Sequence, residues 1–173
     1  WNDFINSING ELLGKWGNFI NRTLVFINKS FDGKLKNASI DKNIEEKLKM
    51  LSDEVGTRID NGEIKDGIKK IFDFISFANK YFDENQPWIL AKTNINECNE
   101  ILYNCVNIIY NVNTLLKPYL PFSCEKVEKY LNNRNLKGEY QRITNVSIAG
   151  DIRPLYERYD KEIIEQEKEK LKK

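Results

Sequence analysis

Apolar residues recur at steps of three and four through most of this chain, and that spacing restricts it to helices. Phe4, Ile8, Leu12, Trp16, Phe19, Ile20, Leu24 and Ile27 describe one stripe of a long amphipathic helix. Phe31-Asp32-Gly33 ends it, glycine being able to take the left-handed conformation past a helix terminus. A second stripe, Ile44, Leu48, Leu51, Val55 and Ile59, is entered from Asp41 and closes near Asn61-Gly62. The third runs Ile64, Ile68, Ile71, Phe72, Ile75, Ala78 and Phe82; it reads as the most hydrophobic and so predicts a central position. Glu84-Asn85-Gln86-Pro87 breaks it, because proline disfavours helix at the residue before it. The same proline can open a short helix over residues 88–92. The fourth stripe, Ile101, Leu102, Cys105, Ile108, Ile109, Val112, Leu115 and Leu116, is ended by Pro118 and Pro121. Ser123 can cap the short helix that follows, with Val127, Tyr130 and Leu131 facing inward.

From 132 to 151 the periodicity fades into irregular polar chain, and 160–173 reads as a charged helix of alternating sign, solvated or a connector. Four long helices joined by short loops predict an all-α antiparallel bundle. At 173 residues the chain accommodates one domain with a real core, here 1–159, followed by the charged helix at 160–173. No run of about 18 apolar residues is present to span a membrane. No signal peptide is visible and the first residue is not Met, so the chain reads as a piece trimmed from something longer.

The residue inventory argues against catalysis. There is no histidine, which removes the usual general base and the commonest transition-metal ligand together. Cys98, Cys105 and Cys124 have neither metal-ligand spacing nor the pattern of a disulfide framework. Cys98 and Cys105 fall on one helical face, where reduced cysteine behaves as a small buried hydrophobe, and this predicts a reducing, cytoplasmic setting. The glycines from 10 to 17 lack the lysine-serine ending of a phosphate loop and sit inside a helical pattern. A net charge of +1 is low for a free-standing electrostatic nucleic-acid binder, so any RNA contact must be local or shared with a partner domain.

Four segments are more specific. ELLGKWGNFINRTLVFINKSFDG (11–33) with its lead-in WNDFINSIN, NKYFDENQPWILAK (79–92), LLKPYLPFSCEKVEKYLN (115–132) and PLYERYDKEIIEQEKEKLKK (154–173) follow in order. Together they resemble the anticodon-binding domain of methionyl-tRNA synthetases, class I aminoacyl-tRNA synthetases, over nearly the whole chain. The resemblance implies the helix bundle of that class and recognition of the CAU anticodon of tRNA(Met). In the family an Asn and an Arg one turn apart on the first helix hydrogen-bond the anticodon bases. A Trp after the proline that follows the third helix stacks on a base. These positions fall on Asn18, Arg22 and Trp88.

Elementary chemistry suits those roles. Asn18 and Arg22, spaced i to i+4, project from one face. An amide and a rigid guanidinium fork can read a base edge, and an indole stacks on an unstacked base, as RNA loops present them. Taken without the resemblance, the same residues read as an ordinary solvated helix face and a core plug. Trp16, where the family usually has leucine, reads as core; Trp1 reads as packing at a domain junction or exposed at a cut end.

The resemblance also implies what is missing. The catalytic half of the family, which takes ATP and methionine, carries a histidine-rich signature that cannot exist here. Lys49-Met50-Leu51-Ser52 resembles its second loop only by chance. The expected partners are therefore the tRNA(Met) anticodon loop and the synthetase's own catalytic domain, with no DNA, membrane, metal or cofactor for this chain alone. The competing readings are a free-standing or divergent paralogue that binds tRNA or a protein without aminoacylation, and a helical interaction module whose RNA site is dead.

Overall fold

The computed structural model describes residues 2–160 and 162–170. Trp1, and Lys161 and the last three residues of the charged tail, lie outside them. The first stripe forms a continuous helical run in three parts: α1 (Asn2–Ser7), a π-helical stretch (Ile8–Gly17) and α2 (Asn18–Phe31). The middle part departs from the simple α-helix that the stripe predicts. Ile8, Leu12 and Trp16 follow Phe4 at steps of four, longer than the roughly 3.6-residue α period, and this part is wound wider. The stripe's two ends also differ in burial. Phe4 is 58% exposed, whereas Trp16, Leu24 and Ile27 are fully enclosed.

Next come α3 (Lys42–Asp60), α4 (Ile64–Asn85), α5 (Pro87–Thr93) and α6 (Ile95–Leu116). Then α7 (Pro121–Leu131) and α8 (Glu162–Lys170) follow. The all-α bundle expected from the sequence is what forms; among the described residues a single isolated bridge, Lys34 to Ser147, is the only β-type pairing. None of the described helices is long and apolar enough to cross a membrane.

Helix boundaries follow local chemistry. Asp41 caps α3, its carboxylate accepting from the backbone N–H groups of Asn43 and Ile44 at 2.9 and 3.2 Å. Asp41→Ala is expected to cost about 1 kcal/mol, a fall in Tm of about 2–4 °C for a chain of this size, readable by calorimetry. Asp32 and Gly33, both left-handed, stop α2. Pro87 occupies the first turn of α5, and Gln86 before it is driven left-handed at φ 45°. Ser123 does not cap α7: the helix already begins at Pro121, whose fixed φ suits a first turn, and Leu120 stands at the cap.

The central helix is α6, not the third stripe. Every residue from 102 to 113 of α6 is buried, whereas Ile64 of α4 is 49% exposed. A reading by periodicity undervalues α6 because it takes the interrupting asparagines as solvent-facing. Those asparagines face packed backbone. Asn99 accepts from Lys36 N–H and donates to the Lys36 carbonyl, at 2.9 and 3.0 Å. Asn104 accepts from Asp41 N–H at 3.0 Å. Asn107 accepts from Ile143 N–H at 3.0 Å, and Asn111 both accepts from Gln141 N–H and donates to its carbonyl at 2.8 Å. The irregular segments around 36–41 and 141–143 thus obtain from α6 the partners that a ladder would otherwise supply.

Candidate RNA-reading surface

The first turns of α2 and the last turns of α4 lie side by side. Asn18 pairs with Asn79 and Arg22 with Asp83, both across 61 residues, so the two helices run parallel in register. This is the relation that alternate helices of an up-and-down bundle must have. The i, i+4 pair on α2 therefore meets an i, i+4 pair on α4.

Phe82, only 3% exposed, is the floor of the site. The Arg22 guanidinium lies over its ring, 4.5 Å from the centroid, a cation–π contact. The Trp88 ring lies 6.1 Å from Phe82, tilted by 41°. Trp88 itself is 41% exposed, much for so large an apolar side chain. The core-plug reading is overturned: Phe82 fills that place and carries Trp88 at the surface. Pro87 is buried, and the left-handed turn at Gln86 redirects the chain so that α5 starts at the end of α4.

Asp83 Oδ1 accepts from Arg22 at 2.5 Å. With Asp83 half-exposed the pair contributes little to stability, but it tethers the guanidinium that lies over Phe82. Arg22 has further N–H donors to offer. Asn18 is exposed and lines a cleft of about 400 Å³ with Leu13, Gly14, Gly17, Asn21, Pro154 and Leu155. Gly17 admits this approach: a Cβ there would stand 3.1 Å from the Tyr156 ring.

The structure therefore brings Asn18, Arg22 and Trp88 onto one face, linked through Asn79, Asp83 and Phe82. Sequence reasoning gave those last three no part in the site. The signal available was the spacing of Asn79 and Asp83, four apart on α4, but only the pairing of the two helices reveals what it matches.

All three cysteines are buried and free. Burial pushes the Cys98 thiol up to about 11 and Cys124 up to about 12, and raises Cys105 as well, so none offers a thiolate. No cluster of His, Cys, Asp or Glu able to hold a metal lies among the described residues. Lys49 to Ser52 sit inside α3, with Leu51 buried in the core.

Residues 41–171 match the family described as the anticodon-binding domain of tRNA ligases. That match includes Trp88 and stops short of Asn18 and Arg22. Whole-chain relatives include methionine–tRNA ligase 1 of Alkaliphilus oremlandii, 40% identical over 99% of this chain and 32% of its own length. The methionine–tRNA ligase of Bacillus cereus strain 03BB102 is 43% identical, over 99% of this chain and 31% of the enzyme. The chain thus spans about a third of the length of these curated relatives. In fold it is similar to the free-state methionyl-tRNA synthetase of Mycobacterium tuberculosis. That likeness has a TM-score of 0.81 at 23% identity, over 90% of this chain and 34% of that one.

Proposed function

The chain belongs to the family of anticodon-binding domains of tRNA ligases, in its methionyl-tRNA synthetase branch, and on that premise we propose that Asn18, Arg22 and Trp88 read the CAU anticodon of tRNA(Met). The observation that carries this reading is the packing of Arg22 and Trp88 against one buried ring, Phe82, with Asn18 one turn away. An exposed indole offers a base-stacking face, while a fork and an amide beside it offer donors and an acceptor to the same base's edge.

Recognition acts at a distance. The bundle holds the anticodon loop while a separate catalytic domain of the same synthetase, which takes ATP and methionine, ligates methionine at the acceptor end. Correct anticodon contacts favour productive placement of that end. The work is that of cytoplasmic translation. A paralogue without aminoacylation finds no favour in relatives that are methionine–tRNA ligases across the whole of this chain.

The test is the affinity of the chain for a CAU anticodon stem-loop against a loop of changed anticodon, at two salt concentrations. Preference for CAU that survives the higher salt is expected. Equal, salt-sensitive binding to both loops would mean that only the bundle is retained. Arg22→Ala should in addition relax the choice of C over U at the first anticodon base. An unchanged choice would remove Arg22 from the reading set.

A further inference from the structure

An asparagine amide carries an acceptor at one end and donors at the other, and at Asn18 the neighbouring helix decides which end is left open. Asn79 Nδ2 donates to the Ile75 carbonyl at 3.0 Å and to the Lys15 carbonyl at 3.2 Å. With both N–H groups committed, its Oδ1 is left to face α2. Asn18 Nδ2 lies 3.5 Å from that oxygen. The reversed Asn18 amide would set two carbonyl oxygens against each other. The Lys15 carbonyl also accepts from the Asn18 backbone N–H, so a single acceptor anchors both asparagines. Asn18 Oδ1 is left without a partner among the described residues, on an exposed side chain.

We propose that Asn79 is a specificity-determining positioning residue: it locks the Asn18 amide so that a carbonyl oxygen faces the base and selects one bearing an exocyclic amino group. This rests on the reading of Asn18 and Arg22 as base readers. Cytosine presents an amino donor beside two acceptors along its Watson–Crick edge. The donor meets Asn18 Oδ1, and the acceptors meet the Arg22 fork, which can only donate. Uracil reverses the first two positions, setting O4 against Asn18 Oδ1 and an N–H against Arg22. Adenine shares the amino group, so the comparison that isolates the effect is cytosine with uracil, equal in ring size.

The experiment measures affinity for CAU and UAU stem-loops with the parent chain, Asn79→Leu, and Asn79→Leu combined with Asn18→Asp. Melting of each variant is followed alongside. A good base-edge contact supports a parental preference on the order of tenfold or more. In Asn79→Leu the Asn18 amide is free to turn, and the preference should fall to about twofold or less through a gain for UAU as well as a loss for CAU. Aspartate has no donor end to present, so the double variant should regain the preference although both loops bind more weakly. A preference that stays intact in Asn79→Leu, or an equal loss for both loops, would reduce Asn79 to a structural residue and overturn the proposal. Failure of the double variant to regain the preference would overturn the amide lock. A parent chain that does not distinguish the loops would instead remove the reading of Asn18 and Arg22 itself.

Discussion

Trp88→Ala is expected to weaken binding of a CAU stem-loop more than tenfold while leaving the fold in place. Base–aromatic stacking is worth about 1–3 kcal/mol per base, which spans roughly fivefold to 150-fold in affinity. The upper part of that range applies because Trp88 is held. Its ring rests on Phe82, and Pro87 and the left-handed Gln86 fix where α5 begins. Little ordering is left to be done when a base arrives, so little of the stacking energy is consumed. The folded chain loses far less, since Trp88 is 41% exposed and Phe82 stays buried without it. Titration of labelled stem-loop by fluorescence anisotropy reads the affinity, and a melt in parallel reads the fold. Near-equal affinity of variant and parent would sink the stacking assignment. Trp88→Phe should fall between the two, keeping a face but a smaller one.

The same contrast shows what the sequence could and could not announce. The helices were legible because their limits are local: Asp41 caps α3 with its own carboxylate, and Pro87 both ends α4 and opens α5. Asn18 and Arg22 were legible as one face, because i to i+4 spacing is a property of a single helix. Trp88 could be named through family resemblance, yet its exposure could not, because that depends on Phe82 occupying the core position. Asn79 and Asp83 stayed hidden for a similar reason. Their meaning arises only when α2 and α4 lie parallel, 61 residues apart in register. The misplaced centre of the bundle has another origin. Periodicity counts each asparagine of α6 as solvent-facing, whereas Asn107 is fully enclosed and Asn104, Asn111 and Asn113 nearly so. A polar side chain can be buried when packed backbone satisfies it, and that backbone lies more than thirty residues away in the case of Ile143.

Asn107→Leu should therefore destabilise the chain strongly even though it adds apolar surface to an apolar helix. The substitution keeps the branched shape but removes the acceptor for Ile143 N–H, 3.0 Å away in a fully buried position. It also leaves without its donor the Tyr103 carbonyl, which Asn107 Nδ2 reaches at 2.9 Å, though that oxygen keeps its place in the helix. An orphaned buried N–H costs about 1–3 kcal/mol. Two neighbours raise the effect. The Tyr103 hydroxyl donates to the Ile143 carbonyl at 2.7 Å, and Asn111 accepts from Gln141 N–H at 2.8 Å, so displacing this strand of chain to rehydrate one group strains the others. A loss of about 2–4 kcal/mol, or a Tm lower by about 4–16 °C, is expected in calorimetry. Asn99→Leu should cost less, because Lys36, whose backbone it serves, is exposed and can turn to water. Equal small effects at both positions would show that the irregular segment does not depend on α6. Loop affinity per folded molecule should be unchanged in Asn107→Leu, since none of its partners belongs to the Phe82 face. On the proposed reading, stability and anticodon recognition are then separable, because asparagines on different helices use the same amide chemistry for opposite ends: satisfying the chain's own backbone on α6, and staying exposed at the surface on α2.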